Sequence, residues 1–389
     1  MKKIAFIFVV AALAAAFVGI RDHRNKELDR MAGQMILVGF RGQAPDDKSV
    51  QELARDIKTG RVGGIILFSV DVARGREYGM TDSEFSAARR SRNIANVGQV
   101  RELNEYLAKA ACKGGRPPLF ISIDQEGGRV ARLTPAHGFD FVMESPRDLA
   151  EKYTPEQVGE IHYELGRRLR EIGFNLNFAP TVDVDINSAS PAIGALGRSF
   201  SADAQRVTEY ARAAAQGLER AGVLYSYKHF PGHGSADGDT HEGAVDVTET
   251  WDDAELEPYR ALAHTGIRGM VMVAHVTHRE KDSEFPASLS EKIIEGILRR
   301  DIGYDGVVIS DDLQMGAIYE NFGLRETLKR AILAGNDIVL LGNNMTYTEN
   351  LGRAAHAEII SLVRSGEIPR ARIRQSYRRI MGLKEKLRD

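Results

Sequence analysis

The sequence predicts an α/β protein that folds as a single (β/α)8 TIM barrel, preceded by an N-terminal hydrophobic leader. Eight apolar runs of strand length alternate with eight amphipathic stretches of helical length. The runs are near-continuous rather than alternating, which is typical of parallel strands buried on both faces. Eight such units in one chain of 389 residues favour a closed barrel, and an open doubly wound sheet is the alternative.

The leader and a short linker occupy residues 1–27, and the barrel domain is expected over residues 28–389. Lys2 and Lys3 precede an uncharged apolar run at residues 4–20, which is the pattern of a secretory signal or a signal anchor. We therefore expect an exported protein that is periplasmic or anchored in the inner membrane through residues 4–20. A cytoplasmic location, with the run packed as a buried helix, is the alternative.

The barrel elements follow one another without a linker rich in Pro, Ser or Gly. Several helical stretches end in Gly just before a strand, as at Gly173, Gly222 and Gly335, which is the expected helix stop of an αβ loop. Strands are predicted at residues 35–40, 63–68, 119–124, 174–180, 223–230, 269–276, 306–311 and 337–342. Helices are predicted at residues 47–58, 97–111, 155–172, 204–221, 252–265, 290–301, 324–334 and 347–365.

One stretch interrupts this alternation, because residues 70–96 form a charged, Arg-rich insert after the second strand. The insert is longer than a βα loop normally needs, and it lies at the end of the barrel where active sites occur. A lid, a docking surface and an idle surface loop are all open interpretations.

Composition excludes several classes of protein. Lys and Arg number 52 against 54 for Asp and Glu, so the net charge of −2 provides no overall basic field for nucleic acid. The single Cys112 excludes an internal disulfide and a cysteine metal cluster. A hydrophobic content of 43% is typical of a globular protein with a sizeable core. Separately, we expect the protein to be a monomer.

Polar residues gather directly after the predicted strands, at the end where a barrel carries its active site. Asp124 ends the third strand, Lys228 and His229 end the fifth, and His275 ends the sixth. Asp311 follows the apolar seventh strand, where a buried carboxylate without a function would be costly. For Asp183 and Asp185 the alternative interpretation is that they are turn residues. For Asp312 the alternative is that it caps the following helix.

A Gly-rich loop with three histidines follows the fifth strand over residues 228–241. Its glycines and proline permit tight turns but pack no core. Within it, Asp239 precedes His241 by two residues, where an acid orients and charge-stabilises an imidazole that transfers protons. The alternative is a polar surface turn, and His233 is expected to shape the loop.

Five motifs together resemble the family 3 glycoside hydrolases, in particular their bacterial β-N-acetylglucosaminidase branch. These motifs are IDQEGGRVARL, GRSF, KHFPGHG, DTH and VISDDLQM, in the family's order. The resemblance implies a retaining mechanism with Asp311 as nucleophile and His241, partnered by Asp239, as general acid/base. It implies no metal and no other cofactor. The sugar-binding residues that it implies are Asp124, Arg132, Arg198, Lys228 and His229, with Glu126, Arg129 and His275 supporting them.

The implied chemistry is physically consistent. A retaining glycosidase needs a carboxylate beneath the anomeric carbon and a proton donor about 5 Å away. Histidine suits the donor role because its ordinary pKa of about 6.5 lies near the working pH. The implied carbohydrate substrate ends in a non-reducing β-linked N-acetylglucosamine (GlcNAc), in peptidoglycan or muropeptide fragments or in chitooligosaccharides.

Other activities stay open at this stage. Within the same family, the alternatives are a β-glucosidase or xylosidase and an N-acetylglucosaminide phosphorylase, since a histidine acid/base does not repel incoming phosphate. A non-catalytic sugar-binding protein is a further alternative. A metal-dependent hydrolase is disfavoured because Lys228 would repel a cation. Its ligands would be His229, His233, His241, Asp239 and Asp311.

Overall fold

The computed structural model describes residues 25–77, 91–263 and 269–387. Most of the predicted leader, residues 78–90 of the 70–96 insert and the end of the predicted helix at 252–265 lie outside these ranges. Residues 25–34 are helical and lead directly into the first strand. Within the described residues, no helix combines the length and the apolar character that a membrane span requires.

Eight parallel strands form one sheet that closes into a barrel, which confirms the predicted fold. Strands that are consecutive in the chain are neighbours in the sheet, and the last pairs with the first. A bridge between Ile309 and Ile338 closes the ring between the seventh and eighth strands. The strands are β1 (Ile36–Gly39), β2 (Gly64–Ile66), β3 (Phe120–Ile123), β4 (Leu176–Asn177), β5 (Leu224–Phe230), β6 (Met270–Val273), β7 (Val307–Ser310) and β8 (Val339–Leu341).

Helices surround the barrel, and all of those named here except the last, which was not predicted, lie close to predicted positions. They are α1 (Lys48–Thr59), α2 (Val97–Lys113), α3 (Pro155–Glu171), α4 (Ala204–Arg220), α5 (Glu257–Ala263), α6 (Lys292–Asp301), α7 (Gly316–Ala334), α8 (Leu351–Arg364) and α9 (Arg370–Glu385). Two short helices, Val72–Glu77 and Pro146–Lys152, lie in connections. The hydrogen bonding of α6 is of the π type. A 3-10 turn at Asp253–Leu256 leads into α5.

Local sequence explains where individual helices begin and end. In α3, the side chain of Thr154 accepts the Gln157 N–H and the Gln157 side chain returns a bond to the Thr154 backbone, which forms a capping box. The prediction began α7 at residue 324, whereas the helix begins at Gly316. Gly323 has φ +64° and kinks the helix, so its first part does not continue the apolar period of the second.

The barrel strands are buried along their whole length. All four residues of β1, β3, β6 and β7 are buried, which explains why these segments read as continuous apolar runs. Burying each such side chain contributes about 1.5–3 kcal/mol. The mainly apolar strands thus form a frame, and charged side chains occur at or just beyond their carboxyl ends, as at Lys228 in β5 and Asp311 after β7.

Polar groups at the opposite end of the barrel hold the C-terminal helix α9. Asp337 is fully buried before β8, and it accepts hydrogen bonds from Arg299 Nη2 (2.8 Å) and Ser376 Oγ (2.7 Å). The buried Lys384 of α9 donates to the Gly63 carbonyl at 2.7 Å. These partners are internal, so this end of the barrel is closed by structural contacts.

Candidate active site

A cavity of about 410 Å³ opens where the barrel strands end at their carboxyl termini. Its walls come from the loops that follow the strands, as expected for a barrel of this kind. The structure brings all eight predicted site residues to this one cavity. They are Asp124, Arg132, Arg198, Lys228, His229, Asp239, His241 and Asp311. Their chemical roles stay predictions, because position alone does not assign them.

Asp311 directly follows β7 and lines the cavity. The backbone N–H of Asp312 donates to its Oδ1 at 2.8 Å. Burial raises the pKa of Asp311, but nearby imidazoles, His229 foremost, outweigh that effect and hold the pKa at about 2. Asp311 is therefore ionised at neutral pH, as a nucleophilic carboxylate must be.

Asp312 differs from its neighbour in surroundings and in ionisation. Its Oδ1 accepts the backbone N–H groups of Gly342 (2.7 Å) and Gln314 (3.0 Å). Burial, together with the adjacent Asp311 charge, raises the pKa of Asp312 to about 6. Asp312 therefore joins the loops after β7 and β8. Its interpretation as a helix cap is wrong, because the following helix has Met315 as its N-cap and no side-chain cap bond.

His241 and Asp239 form a hydrogen-bonded pair at the rim of the cavity. Nδ1 of His241 lies 2.7 Å from Oδ1 of Asp239, which also accepts the His241 backbone N–H at 2.9 Å. The His241 side chain is 54% exposed. Partial desolvation lowers the pKa of His241, but the hydrogen bond and charge of Asp239 outweigh it and raise the pKa. Within the described residues, Nε2 is left for proton transfer.

A chain of alternating charges spans the sugar-binding residues, with Glu126 at its centre. Arg198 donates two parallel hydrogen bonds to Glu126, both at 2.8 Å. Lys228 Nζ lies 2.6 Å from Glu126 and 2.9 Å from Asp124. Arg132 approaches Asp124 at 3.7 Å. Burial raises the pKa of Glu126. The charges and hydrogen bonds of Arg198 and Lys228 outweigh this effect and hold the pKa well below its ordinary value.

Glu126 therefore has the supporting position that the sequence suggested. The same expectation for Arg129 is wrong, because Arg129 is exposed. His275 supports a different part of the cavity. Its Nδ1 lies 2.7 Å from Ser288 Oγ and its Nε2 lies 2.9 Å from the Asp312 carbonyl, so His275 holds the turn that follows Asp311.

Asp183 orients His229, a function that the sequence did not reveal. Its carboxylate accepts the His229 backbone N–H at 3.1 Å and contacts His229 Nδ1 at 2.7 Å. It also accepts the His233 backbone N–H at 3.0 Å. The interpretation of Asp183 as a simple turn residue is wrong, and no local spacing signals its partner 46 residues away. Asp185 instead pairs with Arg147 at 2.6 Å.

The histidines proposed for a metal-dependent hydrolase have separate partners. His229 contacts Asp183, His241 contacts Asp239, and Nε2 of His233 lies 3.3 Å from Thr240 Oγ1. Across residues 25–77, 91–263 and 269–387, no group of three or more His, Cys, Asp or Glu side chains has metal-binding geometry.

The chain matches known proteins over most of its length. The profile of the glycosyl hydrolase family 3 N-terminal domain matches residues 27–383. A beta-hexosaminidase, LpqI of Mycobacterium tuberculosis, is 40% identical over 287 residues, which cover 72% of this chain and 71% of the relative. Beta-hexosaminidase A of Pseudoalteromonas piscicida is 30% identical over 392 residues, which cover 92% and 61% of the two chains.

Solved structures have the same fold. A family 3 beta-N-acetylglucosaminidase from Paenibacillus sp. superimposes with a TM-score of 0.79 and 33% identity, over 92% of this chain and 62% of that one. A beta-N-acetylhexosaminidase from Beutenbergia cavernae superimposes with a TM-score of 0.77 and 26% identity, over 92% and 98%. The chain thus spans less than two thirds of the Paenibacillus protein. With its family profile matched over the whole barrel, this chain belongs to glycosyl hydrolase family 3 and is a glycosidase.

Proposed function

We propose that the chain is a retaining exo-β-N-acetylglucosaminidase that removes non-reducing terminal GlcNAc from peptidoglycan or muropeptide fragments or from chitooligosaccharides. The observation that carries the proposal is the pairing of His241 with Asp239 at the cavity that Asp311 also lines. The names of the relatives, beta-hexosaminidase and beta-N-acetylglucosaminidase, support the substrate class.

In the first step, an oxygen of Asp311 attacks the anomeric carbon. The bond from that carbon to the leaving oxygen breaks, and Nε2 of protonated His241 gives its proton to the leaving oxygen. The product is a glycosyl ester on Asp311. The low pKa of Asp311 and the raised pKa of His241 suit this step, which needs an ionised nucleophile and a protonated acid.

In the second step, the neutral His241 removes a proton from water as the water oxygen attacks the anomeric carbon. The ester bond breaks and Asp311 leaves as a carboxylate, so the product has the configuration of the substrate. Asp239 stabilises the imidazolium that forms and fixes the tautomer that keeps Nε2 available.

The GlcNAc ring is bound by the residues of the charge chain. Carboxylate and ammonium groups side by side offer acceptors and donors to neighbouring hydroxyls, and Asp124 and Lys228 lie 2.9 Å apart in this arrangement. Arg132, Arg198 and His229 complete the set that contacts the sugar. The two loops after β3 and β4 carry the arginines, so both loops are ordered around the ring.

We also propose that the protein is a monomer and meets its substrate outside the cytoplasm, either in the periplasm or anchored to the inner membrane. The charged and apolar pattern of residues 1–20 supports an exported location. Fractionation of cells that express the full chain, beside a variant without residues 4–20, tests this. Recovery of both proteins in the cytoplasmic fraction would contradict the proposed location.

The decisive experiment compares aryl β-glycosides of N-acetylglucosamine, glucose and xylose as substrates for the full chain. We expect hydrolysis of the N-acetylglucosaminide alone. The Asp311→Asn variant is the control for contaminating activity. Hydrolysis of the glucoside without the N-acetylglucosaminide would contradict the proposed specificity. NMR spectroscopy of the first product tests retention of configuration, and a sugar 1-phosphate formed in phosphate buffer would indicate phosphorolysis instead.

A further inference from the structure

Glu255 is a buried acid that the mechanism above does not use. It lies in the 3-10 turn Asp253–Leu256, outside the cavity, and its side chain is fully buried. No lysine or arginine of the described residues forms an ion pair with it. A buried carboxyl group without a countercharge is costly, so its contacts need an explanation.

The contacts of Glu255 all go to the beginning of the loop that carries His241. Oε2 accepts the backbone N–H of Gly234 at 2.8 Å. Oε1 accepts the backbone N–H of Ser235 at 3.2 Å and contacts the Ser235 hydroxyl at 2.5 Å. Both carboxyl oxygens of Glu255 are therefore bound to two consecutive residues of the loop.

The same stretch of loop packs closely against its surroundings. A Cβ added to Gly232, which has φ +124°, would lie 2.4 Å from Oε2 of Glu255. A Cβ added to Gly234 would lie 1.7 Å from the carbonyl oxygen of Val184. Residues 232–235 are thus held between the Glu255 carboxyl group on one side and the Val184 backbone on the other.

A short series of contacts connects this anchored stretch to the catalytic pair. His233, which precedes Gly234, contacts Thr240 Oγ1 through Nε2 at 3.3 Å. Thr240 lies between Asp239 and His241 in the chain. The anchored stretch therefore contacts the end of the loop that carries His241.

We propose that Glu255 is a positioning residue for the acid/base pair His241 and Asp239, acting through the anchored stretch 232–235 and His233. The proposal rests on the proposed function, because it assumes that His241 is the acid. Glu255 does not touch substrate. It determines whether the loop presents His241 at the distance and orientation that protonation of the leaving oxygen requires. Small displacements of a catalytic group lower the reaction rate strongly.

The raised pKa of Glu255 means that its carboxyl group is mostly protonated at neutral pH, which is compatible with its contacts to the loop. Burial raises its pKa to about 8, and the nearby negative charge of Asp183 adds to the rise. Tyr259 is another titratable group near it, whose pKa is raised by burial and further by the charges of Asp183 and Glu255. The Ser235 hydroxyl suits either state of Glu255, because a hydroxyl can donate a hydrogen bond to an ionised carboxylate or accept one from the O–H of a neutral carboxyl group. The anchor therefore persists on both sides of this pKa.

The test is a leaving-group comparison with the variant Glu255→Gln. The glutamine keeps the shape of the side chain but presents an NH₂ group to a site where two backbone N–H donors meet. We expect kcat/KM to fall about tenfold or more for phenyl N-acetyl-β-glucosaminide, a poor leaving group that depends on the acid. For the nitrophenyl substrate, which needs little protonation, we expect a much smaller loss in kcat/KM.

Glu257→Gln is the matched control. Glu257 lies two residues along the chain, is more than half exposed and pairs with Arg260, so both substrates should be cleaved at wild-type rates. If Glu255→Gln does not fold, as judged by circular dichroism, Ser235→Ala decides the question. That variant removes one contact of Glu255 and should give a smaller loss with the same dependence on the leaving group.

Three outcomes separate the proposals. Equal losses on both substrates, in whichever of the two variants folds, overturn the positioning role and leave only a structural one. A leaving-group effect in His241→Ala with none in Glu255→Gln overturns the Glu255 proposal and leaves the proposed function intact. A wild-type chain that cleaves neither substrate overturns the proposed function and the Glu255 proposal together.

Discussion

Oδ1 of Asp239 accepts two bonds from His241, one from the backbone N–H at 2.9 Å and one with the ring Nδ1 at 2.7 Å. The two bonds fix both the chain direction and the ring orientation of His241 relative to one carboxylate oxygen. The proposed acid/base pair is thus a local unit of three consecutive residues, built on a loop rather than on a barrel strand.

Replacing His241 with Ala should slow cleavage according to the leaving group. General acid catalysis contributes about 10²- to 10⁴-fold, so the loss should approach this range for unactivated substrates and shrink for nitrophenyl glycosides. Steady-state kinetics on a graded series of aryl N-acetyl-β-glucosaminides measures the slope. Added azide should accelerate the variant, because a small anionic nucleophile attacks the glycosyl ester without base assistance. A loss of equal size across the series would exclude His241 as the acid.

Replacing Asp311 with Asn should abolish turnover of every substrate in that series. An amide cannot form the glycosyl ester, whatever the leaving group. Intact-protein mass spectrometry after rapid quenching should find a glycosyl adduct on the wild type and none on Asp311→Asn. The neighbouring Asp312→Asn is the matched comparison and should still form the adduct, since Asp312 binds backbone N–H groups. An adduct on Asp311→Asn would place the nucleophile elsewhere.

The pH profile of kcat/KM should lose activity on its basic side as His241 deprotonates. Because Asp239 raises the pKa of His241 above its ordinary value, this limb should lie above the pH expected for a free imidazole, about 6.5. Asp311, with a pKa of about 2, is ionised across the working range and contributes no limb there. Asp239→Asn should move the basic limb to lower pH, whereas Asp246→Asn, outside the cavity, should not. An unmoved limb in Asp239→Asn argues against the pair.

Replacing Glu126 with Gln should destabilise the folded protein. Glu126 is buried between Arg198 and Lys228, and removing one charge of a buried pair typically costs about 3–5 kcal/mol because the remaining charge is unpaired. Chemical denaturation at neutral pH measures the change. Glu160→Gln, which breaks an exposed pair with Arg220, is the control and should leave the midpoint unchanged. Equal midpoints for wild type and Glu126→Gln would contradict the central place of Glu126.

The barrel was predictable because its strands bury every residue and its helices repeat a regular pattern, so local composition determines each element. Helix α9 was not predicted from the sequence, and there is a physical reason. That segment is dense in arginine, and few of its positions are buried, Ile373, Ile380 and Leu383 among them. Its partner Asp337 lies before β8, so the docking of α9 becomes visible only when the barrel is assembled.

The site was predictable as far as its residues occur in recognisable motifs. The partner of Asp183 and the contacts of Glu255 were not predicted, because each acts on a residue that is distant in sequence, His229 for one and Ser235 for the other. A carboxylate in a loop resembles any turn or cap until its partner is known. The side chains expected to touch substrate were therefore readable from the sequence, whereas those that hold them needed the fold.

The charge chain around Glu126 and the loop that carries His241 differ in when the arrangement of their residues is determined. Arg198 and Lys228 are held by carboxylates in the folded chain, so their arrangement does not depend on a bound sugar. The half-exposed His241 is held by Asp239 on a loop, and under the proposed mechanism it has to meet the leaving oxygen at each turnover. Mutations in the first group should therefore alter how much protein is correctly folded, whereas changes along the His241 loop should alter how often a bound sugar reacts.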